Sequence, residues 1–229
     1  MKKITLLFLS ILFCATYTLK AQKTFTGEIV FETRIEGTDD PNLLSSLENF
    51  TTTVSILGNK SKTVIRPNDM AMMTQIWNGD NGSFSMVIEI MGMGKFYKKM
   101  DAEQYKEYKR FNITELNFSR ENEFKEILGY KCQKVIATIT DLEDDSQKEI
   151  VLWVTKEIGS AKLNGGEFPG LEGFPLMTLT PLDEYCDECT LTQVAIKITP
   201  KKIKDVDFLL PDDARNIDEE PELKQMLGF

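Results

Sequence analysis

Histidine is absent from all 229 residues of this sequence. Its absence removes Ser-His and Cys-His nucleophile pairs, the commonest general base near neutral pH, and imidazole ligands for metals. No phosphate-binding loop or Gly-x-Gly-x-x-Gly motif follows a strand, since Gly92-Met93-Gly94 is too short. Paired carboxylates would suit glycoside chemistry, but Asp39-Asp40, Asp141-Asp145 and Asp212-Asp213 fall in predicted turns, where solvated acids are ordinary. We therefore predict no catalytic residues, no cofactor and no enzymatic activity.

Long apolar runs are also absent after the N-terminal segment. No later run approaches the ~18 residues of a membrane-spanning helix. After Met1, the chain has two lysines, an apolar run from Ile4 to Thr18 and the small residue Ala21, which is the pattern of a secretory signal peptide. We predict cleavage after Ala21, one domain over residues 22–229, and a periplasmic or secreted location. Cys14 raises the alternative of a lipidated signal, but Phe13 stands where the lipobox needs a small residue.

Basic residues are few in the predicted mature chain. Residues 1–21 hold three lysines and no acids, which leaves 24 basic against 36 acidic residues and a net charge of −12. Nucleic acids and anionic membrane surfaces bind clustered Lys and Arg. We therefore predict neither as a partner, and the acidity indicates solubility.

Three cysteines remain after residue 21, namely Cys132, Cys186 and Cys189. Exported proteins meet an oxidising compartment, so a disulfide is expected. Cys186 and Cys189 have the spacing of a redox motif, but their acidic neighbours would raise the thiol pKa values where a reactive thiolate needs positive charge. We predict a structural Cys186–Cys189 disulfide with Cys132 as a buried free thiol. A bridge from Cys132 to either partner is the alternative, and no metal site is predicted.

Alternation of apolar and polar residues indicates strands through most of the chain. Cys132–Thr140 and Lys148–Thr155 alternate in this way on either side of a polar turn, which predicts a long antiparallel hairpin. Gly58-Asn59 is a two-residue hairpin signal between two further strands. Nine to eleven strands with short turns predict a mainly β (α+β) domain: a single curved antiparallel sheet or incomplete β-barrel with a few short helices. A two-sheet sandwich is the competing architecture.

A glycine- and proline-rich stretch over Gly165–Met177 carries large apolar residues, and regular ladders tolerate that composition badly. It predicts a loop folded over the hairpin's apolar face. A helix is also predicted over Asn42–Asn49, and we expect it to cover the sheet together with the loop. The anchors expected in the loop are Phe168, Leu171, Phe174, Leu176 and Met177.

Several short motifs resemble those of one group of exported proteins. They are Gly129-Tyr130-Lys131-Cys132, Val151-Leu152-Trp153-Val154, the run from Pro169 to Leu176, and Asp207-Phe208-Leu209-Leu210-Pro211. With the exported start, they resemble Gram-negative domains of unknown function related to GLPGLI-type proteins, which are similar in architecture to the periplasmic lipoprotein carriers LolA and LolB. The resemblance implies an incomplete barrel, with helices across its mouth, that shields an acyl chain.

Methionine is concentrated in one window, and thioethers are soft ligands for Cu(I). Its members are Met70, Met72, Met73, Met86, Met91, Met93 and Met100. Methionine also fills irregular apolar space, so lining of a core or cavity is the competing interpretation.

These patterns together predict a non-catalytic periplasmic domain that shields an apolar ligand such as an acyl chain or lipoprotein. The residues expected to contact the ligand are Phe168, Leu171, Phe174, Leu176, Met177, Met91, Met93 and Trp153. A structural or protein-interaction domain of the cell envelope is the first alternative, and a Met-rich copper binder is the second.

Overall fold

The computed structural model describes residues 25–45, 50–67, 70–110, 115–140, 146–183, 186 and 188–226. Its strands are β1 (Thr26–Glu36), β2 (Thr51–Leu57), β3 (Lys60–Arg66), β4 (Ala71–Asn78), β5 (Ser83–Ile90), β6 (Gly94–Met100), β7 (Glu115–Ile127), β8 (Tyr130–Thr140), β9 (Gln147–Thr155), β10 (Phe174–Pro181), β11 (Thr190–Pro200) and β12 (Arg215–Asn216). Its helices are α1 (Pro41–Ser45), α2 (Ala102–Arg110) and α3 (Pro221–Met226), and Leu163–Gly166, Asp205–Phe208 and Ile217–Glu219 form 3-10 turns.

All twelve strands belong to one sheet in the order β12-β6-β5-β4-β3-β2-β1-β11-β10-β9-β8-β7. Strands β1 to β6 form one antiparallel meander and β7 to β11 form a second, and pairing of β1 with β11 joins the two. Only β12 runs parallel to its neighbour, β6, among these pairs. The predicted mainly β fold with a single antiparallel sheet is confirmed. The sheet is open, and neither a closed barrel nor a two-sheet sandwich forms from the strands that the structure describes.

The sequence alternation translates directly into two faces of the sheet. In β2, Thr52, Val54 and Ile56 are buried while the residues between them keep accessible surface. The turn between β2 and β3 begins at Gly58, whose φ of 63° suits the first central position of a type II′ hairpin. We call the face that carries Val54 the inner face and the opposite one the outer face.

The segment 156–173, here called the crossing segment, leaves β9 and runs over the inner face as far as β4. There the Trp77 indole nitrogen donates a hydrogen bond to the carbonyl oxygen of Lys162. At the other end of the sheet, Phe168 and Leu171 pack in a buried cluster with Leu152 of β9. Since β4 and β9 stand six strands apart in the sheet, contact of one short segment with both indicates that the sheet curves around it.

The C-terminal residues run from β3 to the β6 edge of the sheet. Lys60 and Lys95 form ion pairs of 2.5 and 2.8 Å with Asp205 and Asp213. After β12 pairs with β6, Ile217 and Leu223 bury Phe96 in a small apolar cluster. An unpaired strand edge invites association with other chains, so this segment protects the β6 edge.

The predicted 165–177 loop is wrong for its last four residues, because Phe174–Pro181 forms β10 and pairs with both β9 and β11. The register between β9 and β10 shifts between Pro175 and Met177. An irregular position of this kind accommodates a proline, which has no backbone N–H to donate.

The helix predicted over Asn42–Asn49 is only partly described, as α1. Its described residues are all accessible, and residues 46–49 lie outside the described residues. No residue of Pro41–Ser45 lines the inner-face cavity, so the expected cover at this position is not observed there. A different helix, α2, takes that role.

Candidate ligand-binding cavity

A cavity of about 370 Å³ lies between the inner face and the segments that cover it. Residues of β10, β11 and β1 to β5 form its floor, while α2 and the crossing segment form its roof. Small-molecule sites are typically clefts of about 300–1,000 Å³. The cavity therefore has the size of such a site.

Helix α2 is held over the floor by its cap and by Tyr105. The Asp101 carboxylate accepts a hydrogen bond from the backbone N–H of Gln104, and the Gln104 side chain accepts one from the Asp101 N–H, a reciprocal cap that fixes the start of a helix. Tyr105 stacks on Phe84 at 4.7 Å between ring centroids, and its hydroxyl donates to the carbonyl oxygen of Gly166. Burial raises the pKa of Tyr105 above its usual range, so the hydroxyl stays a donor that binds α2 to the crossing segment.

The crossing segment is anchored by side-chain hydrogen bonds at several points. Ser160 donates to Asn59 at 3.0 Å, and the buried amide of Asn164 donates to the carbonyl oxygens of Leu171 and Gly173. Gly165 lies against the Trp77 ring so closely that an added Cβ would be 2.5 Å from the indole. These contacts make the roof a fixed wall of the cavity.

The floor is partly polar. Thr63 pairs with Gln75 across β3 and β4, and Thr178 pairs with Gln193 across β10 and β11. Residues paired in this way share a face of the sheet. The polar floor, as we call it, consists of Thr52, Ser61, Thr63, Gln75, Thr178 and Gln193, all of which line the cavity.

The remaining lining is mostly apolar, with two charges. Aromatic and aliphatic members include Phe31, Val54, Trp77, Phe84, Met86, Tyr105, Leu163, Phe168 and Phe174. Burial lowers the pKa of Lys109 on α2, an effect that the nearby Glu167 carboxylate opposes. Burial likewise raises the pKa of Glu167, which Lys109 opposes. The Glu167 side chain is nonetheless accessible, because it borders the open cavity.

The eight predicted site residues divide into four pairs. Phe168 and Phe174 line the cavity. Leu171 and Leu176 are fully buried in the apolar clusters beside it and do not reach its surface.

Trp153 and Met177 lie on the outer face, which corrects their expected placement. They pair with each other in the register of β9 and β10, whereas the next pair, Leu152 and Thr178, belongs to the inner face. Because successive side chains alternate, Trp153 and Met177 point away from the cavity. The Lys125 ammonium covers them, at 4.2 Å from the Trp153 ring centroid and 2.8 Å from the Met177 sulfur.

Met91 and Met93 are also placed away from the cavity. Both belong to the turn between β5 and β6, where they are 67% and 49% exposed. The other methionines of the window separate as alternation requires, since Met86 lines the cavity while Met72 faces a smaller pocket on the outer face. Met86 and Met100 pack with Phe84 in a buried cluster.

Sequence reasoning missed most of the roof. Tyr105, Tyr108 and Lys109 all line the cavity, and their spacing of three and four residues places them on one side of a helix. That spacing was a usable signal. Glu167 and Trp77 carried no such signal in the sequence. The crossing segment follows β9, and it meets Trp77 of β4, six strands away in the sheet, only through tertiary folding.

The cysteines are arranged as predicted. Cys186 and Cys189 form a disulfide with 5.4 Å between Cα atoms, and Cys132 is free and buried. The alternative of a bridge to Cys132 is therefore wrong. Burial raises the pKa of the Cys132 thiol to about 11, although Lys125 acts in the opposite direction.

Two kinds of feature are absent from the described residues. No group of three or more His, Cys, Asp or Glu side chains in this part of the chain is arranged to hold a metal ion. None of its helices combines the length and apolar character needed to cross a membrane.

Fold and cavity together define a mainly β domain with an inner-face pocket. No family model and no curated protein matches the chain. A similar solved structure is that of PNGF-II in C2 space group, with a TM-score of 0.53 and 14% sequence identity. The match covers 84% of this chain but 31% of that one, so this chain spans about a third of that protein's length. At this identity the similarity concerns the fold alone.

Proposed function

We propose that this protein is a non-catalytic binding domain of the cell envelope whose inner-face cavity shields the apolar part of a small-molecule ligand. The observation that carries the proposal is the cavity itself, whose lining includes aromatic and aliphatic side chains beside the polar floor and which lies under a roof anchored to β4 and β9. Ligand sites typically combine apolar lining with convergent polar groups.

Export is part of the proposal. Its support is the N-terminal pattern of residues 1–21 together with the Cys186–Cys189 disulfide, because such bonds persist in oxidising compartments.

Protein interaction through a sheet edge has weaker support. The outer edge strand, β7, carries mostly exposed and often charged residues, and its register shifts between Arg120 and Phe124. Charges and bulges at an edge discourage the addition of another strand. Copper binding is not favoured either, because the methionine window is divided between the two faces and an exposed turn.

A space-filling variant tests the cavity proposal. Thr63→Phe places a ring on the floor, and we expect it to weaken binding of a fluorescent fatty-acid probe at least tenfold while the protein stays folded. Thr53→Phe is the matched control, since Thr53 lies on the adjacent strand but alternates to the outer face. We expect the control to bind like the parent. A parent protein that binds no apolar probe, with no ligand co-purifying in native mass spectrometry, would refute the proposal.

A further inference from the structure

The polar floor presents hydrogen-bonding groups that the protein itself leaves unused. Within the described part of the chain, the hydroxyls of Ser61, Thr63 and Thr178 have no side-chain hydrogen-bond partner. The amide of Gln193 reaches the Thr52 hydroxyl only at 3.5 Å, the outer limit for such a bond.

The amide of Gln75 contacts only a sulfur, that of Met73 at 4.0 Å, and a thioether is a weak acceptor. The floor thus offers both amide and hydroxyl groups to whatever occupies the cavity. Water satisfies such groups when the cavity is wet, but a ligand that displaces the water must replace its hydrogen bonds to retain affinity.

This polarity is concentrated at certain positions of the inner face. Phe31 of β1 and Val54 of β2 line the cavity with apolar side chains, beside Thr52 of the polar floor. By contrast, β3 turns Ser61 and Thr63 inward at the same level of the sheet, as their pairing with Ile56 and Val54 shows. Ser61 and Thr63 therefore place hydroxyl groups at the cavity beside apolar side chains of β2.

Part of the roof has the opposite character, although Lys109 and Glu167 also belong to the roof. Phe168 and Leu163 of the crossing segment and Tyr105 of α2 present ring and aliphatic surface to the cavity. The one hydroxyl in this set, that of Tyr105, is already bound to the carbonyl oxygen of Gly166. A ligand between the polar floor and this part of the roof therefore meets hydrogen-bonding groups on one side and ring and aliphatic surface on the other.

We infer that the ligand is a facially amphiphilic molecule, with hydroxyl or amide groups along one face and an apolar opposite face, and not a plain alkyl chain. The inference rests on the proposed function that the cavity binds a ligand. A bare alkyl chain would cover the Ser61, Thr63 and Thr178 hydroxyls without pairing them, and unpaired buried polar groups are unfavourable. A molecule with one polar face satisfies them while its other face packs against the aromatic roof.

A matched probe pair tests the inference by isothermal titration calorimetry. Cholate carries hydroxyl groups on one face of a rigid ring system, and 5β-cholanate has the same rings and carboxylate without those hydroxyls. The common carboxylate makes any effect of Lys109 and Glu167 similar for the two probes. We expect cholate to bind at least about tenfold more tightly, which corresponds to one or two hydrogen bonds. Palmitate serves as the plain-chain comparison.

Thr63→Val removes the floor hydroxyl at nearly constant shape. We expect it to weaken cholate binding about three- to tenfold and to leave cholanate binding unchanged or tighter. Ser61→Ala is a second variant with the same expectation, and Thr53→Val on the outer face is the control, expected to match the parent. Circular dichroism melting of each variant shows that it is folded.

The possible outcomes separate the two proposals. Binding of cholanate or palmitate as tight as that of cholate, or a cholate preference that survives in both floor variants, would overturn the facial amphiphile while leaving the cavity a binding site. Failure of all three probes and of the fluorescent fatty acid would remove the proposed function, and the inference with it.

Discussion

The Trp77 indole and the Lys162 carbonyl oxygen form a hydrogen bond of 2.7 Å between residues 85 positions apart. One partner belongs to β4 in the first meander and the other to the crossing segment that leaves β9 in the second. The bond therefore joins the two meanders over the inner face, independently of the ladder between β1 and β11. Because Trp77 also lines the cavity, one side chain links the shape of the pocket to the assembly of the sheet.

Asn164 is expected to be the residue on which the conformation of the crossing segment most depends. The residue is 6% exposed, and its side-chain amide donates hydrogen bonds to the carbonyl oxygens of Leu171 and Gly173. Asn164→Ala leaves both carbonyls unpaired, and we expect a loss of about 2–4 kcal/mol in the free energy of unfolding, measured in urea. Asn42→Ala on the exposed helix α1 is the control, with a change below about 0.5 kcal/mol. Equal effects of the two substitutions would contradict the anchoring role.

Leu171 is expected to stabilise the core without contributing to ligand binding. It is almost fully buried against Leu152 and Val135 but does not line the cavity. Leu171→Ala should lower the free energy of unfolding by about 2–5 kcal/mol and leave probe affinity of the folded protein close to that of the parent. Leu209→Ala, at a residue 65% exposed, should change stability by less than about 0.5 kcal/mol. A large loss of probe affinity at wild-type stability would place Leu171 in the site instead.

Cysteine labelling should distinguish three states of the protein beginning at Gln22. The native protein should resist alkylation, because Cys132 is buried and the other two cysteines are paired. Unfolding without reductant should expose one thiol, and reduction should expose all three. Peptide mapping identifies the labelled residue. Modification of Cys186 or Cys189 before reduction would show that the disulfide is absent from the purified protein.

Burial of Cys132 should also make stability depend on alkaline pH. Burial raises the pKa of the thiol from 9.0 to about 11 in the folded protein. Above pH 9 the unfolded chain releases a proton that the folded chain retains, so this thiol lowers stability as pH rises toward 11. The slope is at most about 1.4 kcal/mol per pH unit.

Cys132→Ala removes that contribution and provides the comparison. The stability advantage of the parent over Cys132→Ala should shrink between about pH 8 and about pH 10.5, when both are unfolded in urea with the disulfide intact. Subtracting the two proteins cancels the alkaline titrations of groups away from Cys132. The titration of Lys125 is not cancelled, because the pKa values of Lys125 and Cys132 depend on each other. A constant difference across this range would mean that the thiol titrates alike in both states.

Local patterns predicted the strands well where one face is buried and the other is wet. Cys132–Thr140 and Lys148–Thr155 alternate clearly, and they appear as β8 and β9 with slightly longer ends. Strand β7 was not predicted, since an edge strand with mostly exposed charged residues has little apolar alternation. Strand β10 was also not predicted, because it contains Pro175, which the structure accommodates at a shift in register.

The candidate site was only half predictable, for a physical reason. Phe168 was identified from its loop, because large apolar residues on a flexible backbone need something to cover. Trp153 looked equivalent to Phe168 in the sequence. Its side chain nevertheless lies on the opposite face of the sheet, because neighbouring residues of a strand alternate between faces. The polar floor could not be inferred either, since Thr63 and Gln75 become neighbours of a cavity only after the sheet curves.

The place of β1 in the middle of the sheet has a consequence for biosynthesis. Ribosomes release β1 first, but its partner β11 is the last long strand of the chain. The first meander can assemble from β1 to β6 while the β1 edge still lacks its neighbour. Until β11 has been made, the β1 edge is an unpaired strand edge that is prone to aggregation. Strands that are far apart in sequence also pair slowly. The β1 edge thus lacks its β11 partner until nearly the whole chain has been made.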